Sequence, residues 1–137
     1  MSRNVNSELL FCGRQVLFLI FLVALLIRVV FAFTLKDGFY FGDEFEYTVT
    51  ARYFVEHGTL PESFDRSPLF PLFLAGLFKL GGENFFYIRI VQAALGAIIA
   101  LQIALIGRRV GGSGVGIVAG ALWAIYPMGI FMSGILY

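Results

Sequence analysis

Residues 16–35 read VLFLIFLVALLIRVVFAFTL, a run of 20 residues in which Arg28 is the one charged side chain. A helix that crosses a bilayer needs roughly 20 apolar residues, so this run has the length of one membrane span. The composition agrees, because 59% of the 137 residues are hydrophobic and 14% are charged, whereas about 25% of the residues of soluble domains are charged. We therefore predict an all-α fold of polytopic transmembrane helices.

Two later runs also have spanning length, FFYIRIVQAALGAIIALQIALIG at 85–107 and GVGIVAGALWAIYPMGIFMSGILY at 114–137. A fourth apolar run, PLFPLFLAGLFKL at 68–80, is too short. As a helix it would reach roughly 20 Å at about 1.5 Å per residue, against a hydrocarbon core about 30 Å thick. The predicted organisation is spans at about 16–35, 85–107 and 114–137, with an outer loop 36–84 that carries amphipathic juxtamembrane helices at about 44–57 and 68–80.

The placement of basic residues predicts the orientation of these spans. Arg3 and Arg14 precede the first span, and Arg108 and Arg109 lie between the second and the third. Cytoplasmic loops are enriched in Lys and Arg, so both places are predicted to face the cytoplasm. The loop 36–84 then lies on the opposite side of the membrane, provided that the short apolar run within it does not cross.

The last two spans are predicted to pack against each other as a hairpin. Small residues recur at every fourth position on each span, and small residues let helix backbones approach closely in lipid. They are Gly96, Ala100 and Ala104 on the second span, and Gly112, Gly116, Gly120 and Ala124 on the third. Pro127 should kink the third span, because proline removes a backbone donor and clashes one turn back.

Acidic residues are concentrated directly after the first span, where seven of the nine lie between residues 36 and 66. Asp43 follows a glycine and stands three residues before Glu46, which is the spacing of a capping box at a helix start. The simplest prediction is therefore that Asp43 caps a helix from about residue 44 to 57. Gly58 supplies the stop signal for that helix.

Arginines are predicted to lie at the same depth as these acids. Arg28 is in the outer part of the first span, Arg89 is near the outer end of the second, and Arg66 is in the loop. Arginines within a membrane are costly and usually find anions, although Arg28 and Arg89 could instead extend to the interface. Acids beside guanidinium groups, which match phosphate oxygens in pairs, favour transfer of a group from a phosphorylated lipid.

The order of these pieces resembles the start of a GT-C-type membrane glycosyltransferase, in particular the protein O-mannosyltransferase and aminoarabinose transferase-like superfamily. The matching pieces cover nearly the whole chain in the order of the family. They are LLIRVVFAF (25–33), GDEFEYTVTARYFVEHG (42–58), RSPLFPLFLAGLFKLGG (66–82), YIRIVQAALGAIIALQIALIGRRVGG (87–112) and GIVAGALWAIYP (116–127). The family chain is several times longer, so the resemblance implies that these residues are an N-terminal fragment of a GT-C fold.

The resemblance also implies an activity and a location. The enzyme would be an inverting glycosyltransferase that uses a polyprenyl-phosphate sugar donor and a lipid, protein or glycan acceptor at the outer face of the membrane. It would be a multi-pass integral protein, surrounded by membrane lipids, of a bacterial inner (plasma) membrane. Its N-terminus would be cytoplasmic and its loop 36–84 periplasmic or extracellular. We expect the fragment alone to be inactive.

Site residues carry over position by position. The resemblance implies that the aspartate of the Asp-Glu pair, which corresponds to Asp43, is the catalytic carboxylate. Glu44 is the second catalytic candidate, and Glu46 is also a runner-up. Arg66 stands where the aminoarabinose transferases have a phosphate-binding lysine. The predicted substrate-binding residues are Arg66, Arg89, Arg28 and Tyr47. No metal site is predicted from ligand spacing, but a divalent metal ion held in part by carboxylates of this loop is left open as a cofactor.

Two other classes of protein fit parts of this sequence. A non-enzymatic small membrane protein or complex subunit, with an outer amphipathic helix that binds partners, accounts for the small-residue repeats and the helix cap. It does not account for acids and arginines at one depth. A transporter is a third class, since charged residues within a membrane also mark ion paths. A net charge of +1 does not support a nucleic-acid-binding surface, and the sequence predicts no oligomeric state.

Overall fold

The computed structural model describes residues 3–36 and 38–136, with side chains from residue 13 onward. Within these residues the chain forms helices and no strand. They are α1 (Arg3–Thr34), α2 (Gly42–His57), α3 (Leu69–Gly81), α4 (Phe85–Ala124) and α5 (Pro127–Met132). The predicted all-α fold class is confirmed.

Two stretches of helix are long and apolar enough to cross a membrane, Gly13–Thr34 in α1 and the whole of α4. A straight helix of 40 residues would measure about 60 Å, twice the thickness of a hydrocarbon core. The helix is interrupted at Gly112, whose φ of 84° and ψ of 179° are not helical. A side chain would be strained at that φ, whereas glycine adopts it freely. The helix is therefore two arms, 85–111 and 113–124.

The two arms of α4 fold back against each other through their small residues. A Cβ atom added to Gly107 would lie 2.9 Å from the Cα of Gly116, and one added to Gly120 would lie 2.7 Å from the Cβ of Ala104. In one straight helix, positions nine residues apart would be separated by about 14 Å. The arms therefore form the close-packed hairpin that the four-residue repeat predicts.

Helix α1 packs along this hairpin. Its Leu17, Ile20 and Ala24 form one buried cluster with alanines of α4. The other faces of α1 expose large apolar side chains such as Phe18 and Leu26. In water such an exposed apolar surface would favour aggregation. It suits a helix that contacts protein on one side and lipid on the others.

Helices α2 and α3 form a second layer. Ala51 of α2 is buried against Leu74 and Ala75 of α3, in a cluster that also includes Ile88 at the start of α4. Helix α2 ends at Gly58, whose φ of 75° is left-handed and whose N–H donates to the carbonyl of Phe54. This termination is the glycine C-cap predicted from the sequence.

The start of α2 differs from the prediction. The N-cap is Phe41, not Asp43, and the carboxylate that returns to the N-cap N–H belongs to Glu44, at 3.2 Å. The three-residue spacing of a capping box is kept but begins two residues earlier. The prediction that Asp43 caps the helix is therefore wrong, and its side chain is available for other contacts.

Pro127 interrupts the chain after α4, as predicted. It occupies the first turn of the six-residue α5, where a missing N–H costs little. After α5 the chain bends through residues 133–136, which are all buried. This bend returns the backbone to the side of α2, next to the residues described below.

Candidate functional site

An exposed ion-pair cluster joins the first turn of α2 to the loop before α3. Arg66 places its Nη1 2.8 Å from Oδ1 of Asp43 and its Nε 3.0 Å from Oε2 of Glu46. Asp43 and Glu46 can share one cation because residues three apart lie on the same face of a helix. The side chains of Arg66 and Asp43 are 38% and 30% exposed, so a ligand can reach both groups.

Tyr47 completes this cluster. The guanidinium carbon of Arg66 lies 6.0 Å from the centre of the Tyr47 ring, within the range of a cation–π contact. The Tyr47 ring packs edge-on against Phe70 of α3. The hydrogen bond to Asp43, and next the one to Tyr47, raise the pKa of Arg66. Its guanidinium therefore stays charged at any physiological pH.

Glu44, the second catalytic candidate, points away from this cluster. Its side chain is fully buried and accepts hydrogen bonds from three backbone N–H groups. The donors are Tyr40, Phe41 at 3.2 Å and Leu136 at 2.9 Å. These bonds compensate the buried charge, since a carboxylate without partners is very costly inside a protein. Glu44 is thus buried and has partners other than those of the exposed cluster.

Arg89 is also buried, with 1% of its surface exposed. Its Nε donates to the carbonyl of Gly134 at 3.0 Å, and its two terminal nitrogens donate to Lys36 and Gly38 at 3.1 and 3.3 Å. Its guanidinium carbon lies 5.8 Å from the centre of the Tyr40 ring. The partners of this arginine are therefore backbone carbonyls and an aromatic face.

Arg28 binds the carbonyls at the end of α4. Its Nη1 lies 3.1 Å from the carbonyl oxygens of Ala24 and Ala124, and its Nη2 lies 3.3 Å from that of Trp123. Pro127, four residues after Trp123, has no N–H to offer that carbonyl. A cation at a helix C-terminus is also favoured by the helix dipole. The break in the helix thus explains why an arginine is buried here.

The structure therefore brings together three of the predicted site residues, Asp43, Arg66 and Tyr47. It places Glu44 and Arg89 in buried positions against the backbone before α2 and after α5, and Arg28 at the end of α4. Glu46, a capping residue and runner-up catalytic candidate in the sequence, is also part of the cluster. Its signal was available, because it lies on the same helix face as Asp43.

Two clefts adjoin these residues. An open cleft of about 620 Å³ is lined by Glu46 and Arg66 together with aromatic side chains that include Tyr53 and Phe64. A second, apolar cleft of about 390 Å³ lies between α3, α4 and α5, where Phe70, Phe73 and Trp123 are among its walls.

The apolar cleft contains polar atoms that the sequence analysis missed. Within residues 13–36 and 38–136, the buried Oε1 of Gln92 and Nε1 of Trp123 have no hydrogen-bond partner, and both side chains line this cleft. A glutamine in the middle of an apolar run was the available signal, because polar residues within a membrane are usually functional.

The described part of the chain contains no group of three or more His, Cys, Asp or Glu that could hold a metal ion.

Comparison with known proteins gives one match. No curated protein and no solved structure matches the chain. The family model described as dolichyl-phosphate-mannose-protein mannosyltransferase matches residues 65–135, which is 71 of the 137 residues, just over half. The match includes Arg66 and Arg89 and begins after the end of α2, so Asp43 lies outside it. The chain therefore belongs to the dolichyl-phosphate-mannose-protein mannosyltransferase family, a family of GT-C-type membrane glycosyltransferases.

Proposed function

We propose that this glycosyltransferase moves a sugar from a polyprenyl-phosphate donor to a hydroxyl or amine of a lipid, protein or glycan acceptor at the outer face of the membrane. The observation that carries the proposal is the exposed pair of Asp43 and Arg66, 2.8 Å apart. A carboxylate suited to an acceptor and a cation suited to a phosphate stand side by side. The membership of the family supports the same reaction class.

Arg66 is the proposed phosphate-binding group. Its planar guanidinium can hold two phosphate oxygens at once. In the structure it is shared between the carboxylates of Asp43 and Glu46. A donor phosphate would compete with these carboxylates for the same N–H donors. Binding of the donor would therefore draw Arg66 toward the phosphate and leave Asp43 free for the acceptor.

Asp43 is the proposed catalytic carboxylate. In a single displacement, the acceptor oxygen or nitrogen bonds to C1 of the sugar while the bond from C1 to the phosphate oxygen breaks. Asp43 orients the acceptor and takes its proton, and the polyprenyl phosphate leaves with the bonding electrons. The configuration at C1 is inverted.

The apolar cleft is the proposed place for the isoprenoid part of the donor. Its walls are aromatic, aliphatic and methionine side chains of α3, α4 and α5, and such walls suit an uncharged hydrocarbon. Phe70 of α3 adjoins both the cleft and the ion-pair cluster, because it lines the cleft and its ring contacts Tyr47. The two parts of a lipid-linked donor thus have neighbouring sites.

Arg28 and Arg89, predicted as substrate-binding residues, are assigned a structural role in this proposal. Each already donates to three backbone carbonyls. A donor phosphate that displaced these bonds would leave carbonyls such as that of Ala124 without the arginine donor, and an unpaired buried carbonyl costs about 1–3 kcal/mol. Arg66 has no such obstacle, because its partners are exposed carboxylates.

The test uses the full-length protein in liposomes with a radiolabelled polyprenyl-phosphate mannose. Replacing Arg66 by Ala should raise the KM for the donor and lower turnover, and Arg66→Lys should have the smaller effect because it keeps the charge. Arg52→Ala is the matched control, since Arg52 is an exposed arginine paired with Glu83. Native donor KM and turnover in Arg66→Ala would rule out the phosphate-binding role.

A further inference from the structure

Two buried side chains of opposite charge lie outside the ion-pair cluster, Glu44 with 0% and Arg89 with 1% of its surface exposed. Both contact the same two stretches of irregular backbone. One, the pre-helix segment, consists of Lys36 and residues 38–41, which lead into α2. The other is the terminal bend, residues 133–136, which follows α5.

Glu44 bridges the two stretches with its two carboxylate oxygens. Oε2 accepts from the N–H groups of Tyr40 and Phe41 in the pre-helix segment. Oε1 accepts from the N–H of Leu136 in the terminal bend at 2.9 Å. Hydrogen bonds to an ionised group are roughly twice as strong as neutral ones. One carboxylate therefore holds both stretches.

Arg89 makes the complementary bridge to carbonyl oxygens. Its terminal nitrogens donate to Lys36 and Gly38 in the pre-helix segment, and its Nε donates to Gly134 in the terminal bend. One turn later on α4, the Nε2 of Gln92 donates to Ile135 at 2.9 Å. Three consecutive residues of the terminal bend, 134–136, are thus each bound by a polar side chain.

From these contacts we infer that Glu44 and Arg89 are positioning residues, a clamp that ties the pre-helix segment to the terminal bend and so sets the position of Asp43. The inference rests on the proposed function, in which Asp43, next to Glu44 in the sequence, contacts the acceptor. The side chains of Glu44 and Arg89 are buried, so a charged group released from its partners there would be costly. The two stretches therefore move together or not at all.

The clamp is expected to act on the rate of reaction rather than on donor binding. A shift of about 1 Å in a reacting group can cost about 10²-fold in rate. Arg66, which is proposed to bind the phosphate, is held by Asp43 and Glu46 and by neither member of the clamp. Loosening the clamp should therefore lower kcat and leave the donor KM nearly unchanged.

The experiment compares Glu44→Gln with Glu56→Gln, an exposed glutamate on the same helix, in the full-length protein. A glutamine offers one acceptor oxygen where the carboxylate offers two. Hydrogen exchange should become faster at residues 40–41 and at residue 136 together in Glu44→Gln. Its kcat should fall by about 10²-fold with the donor KM within about twofold of native. Glu56→Gln should match the native protein in every measurement.

A second variant and the wild type keep the test decisive if Glu44→Gln does not fold. Arg89→Lys retains the charge but cannot reach three carbonyls, and it should loosen the same two stretches. In the wild-type protein the amides of residues 40, 41 and 136 should show equal protection. Faster exchange in only one stretch, or unequal protection in the wild type, would overturn the clamp.

The exchange measurements need no substrate, so they separate this inference from the proposed function. If the wild-type protein transfers no sugar, the proposed function fails while exchange still decides whether the clamp exists. If both stretches loosen and kcat stays native, the positioning role is refuted. A rise in donor KM equal to the fall in kcat would also refute it.

Discussion

Replacing Asp43 by Asn separates a catalytic carboxylate from a structural one. Asparagine keeps a side-chain oxygen that can accept from Arg66, but it lacks the charge and the basicity of a carboxylate. Asp43 does not cap α2, because Phe41 is the N-cap and Glu44 supplies the returning carboxylate. The substitution therefore leaves the helix cap intact and removes one charge from an exposed ion pair. Exposed ion pairs contribute little to stability.

The expected result is a native thermal midpoint with a large loss of turnover. Loss of general-base catalysis lowers rates about 10²- to 10⁴-fold, which corresponds to roughly 3 to 5 kcal/mol of activation free energy. Turnover is measured on the full-length protein with a purified lipid-linked donor, and unfolding is followed in detergent. Asp43→Ala should resemble Asp43→Asn in both measurements, since neither variant disturbs the N-cap.

Glu46→Gln is the matched control for the charge. It removes the other carboxylate that contacts Arg66 and leaves Asp43 in place. Its turnover should fall less than tenfold if Asp43 alone meets the acceptor. Turnover of Asp43→Asn within about threefold of native would refute the catalytic assignment, and Asp43 would then be a partner of Arg66 only.

Three further predictions concern packing and topology. Gly116→Ala should destabilise the protein by about 1–3 kcal/mol, because the new Cβ would lie 2.5 Å from a carbonyl oxygen of the opposite arm. Gly114→Ala, which has open space around it, should leave the thermal midpoint native. Equal thermal midpoints for the two variants would contradict the hairpin. Arg28→Met should cost about 1–3 kcal/mol by removing the donor to the carbonyl of Ala124 at the end of α4, with unfolding in detergent as the measurement and a native midpoint as the contrary result. Single cysteines at Ser63 and Glu83 should both react with an impermeant thiol reagent in intact cells; labelling of the second only after lysis would mean that α3 crosses the membrane.

Much of the fold followed from patterns that act locally. Hydrophobic length marked the helices, a repeat of small residues every four positions marked the contact between the arms of α4, and Gly58 marked the end of α2. The start of α2 did not follow, because two pairs of residues with three-residue spacing were available. Both Phe41 with Glu44 and Asp43 with Glu46 fit the pattern, and the burial of Glu44 decided between them.

The arginines show where sequence reasoning about the site ended. Their depth and their need for oxygen partners were predictable from the cost of a cation in a membrane. Their partners were not, because these partners are carbonyls of irregular backbone. Arg28 binds a carbonyl at the helix end that precedes Pro127. Arg89 binds the carbonyls of Gly38 and Gly134, which come together only in the folded chain. A phosphate and a backbone carbonyl present the same kind of acceptor to a guanidinium.

The interrupted end of α4 has a consequence for the biosynthesis of the protein. Backbone carbonyls without partners are poorly tolerated in hydrocarbon, and the carbonyls of Trp123 and Ala124 are bound by Arg28 from α1. Synthesis runs from the N-terminus, so α1 is made before these carbonyls leave the ribosome. A nascent chain can thus bind them as soon as the hairpin of α4 enters the bilayer, whereas a rearranged gene that placed α1 last would leave the Ala124 carbonyl without the Arg28 donor until the end of translation.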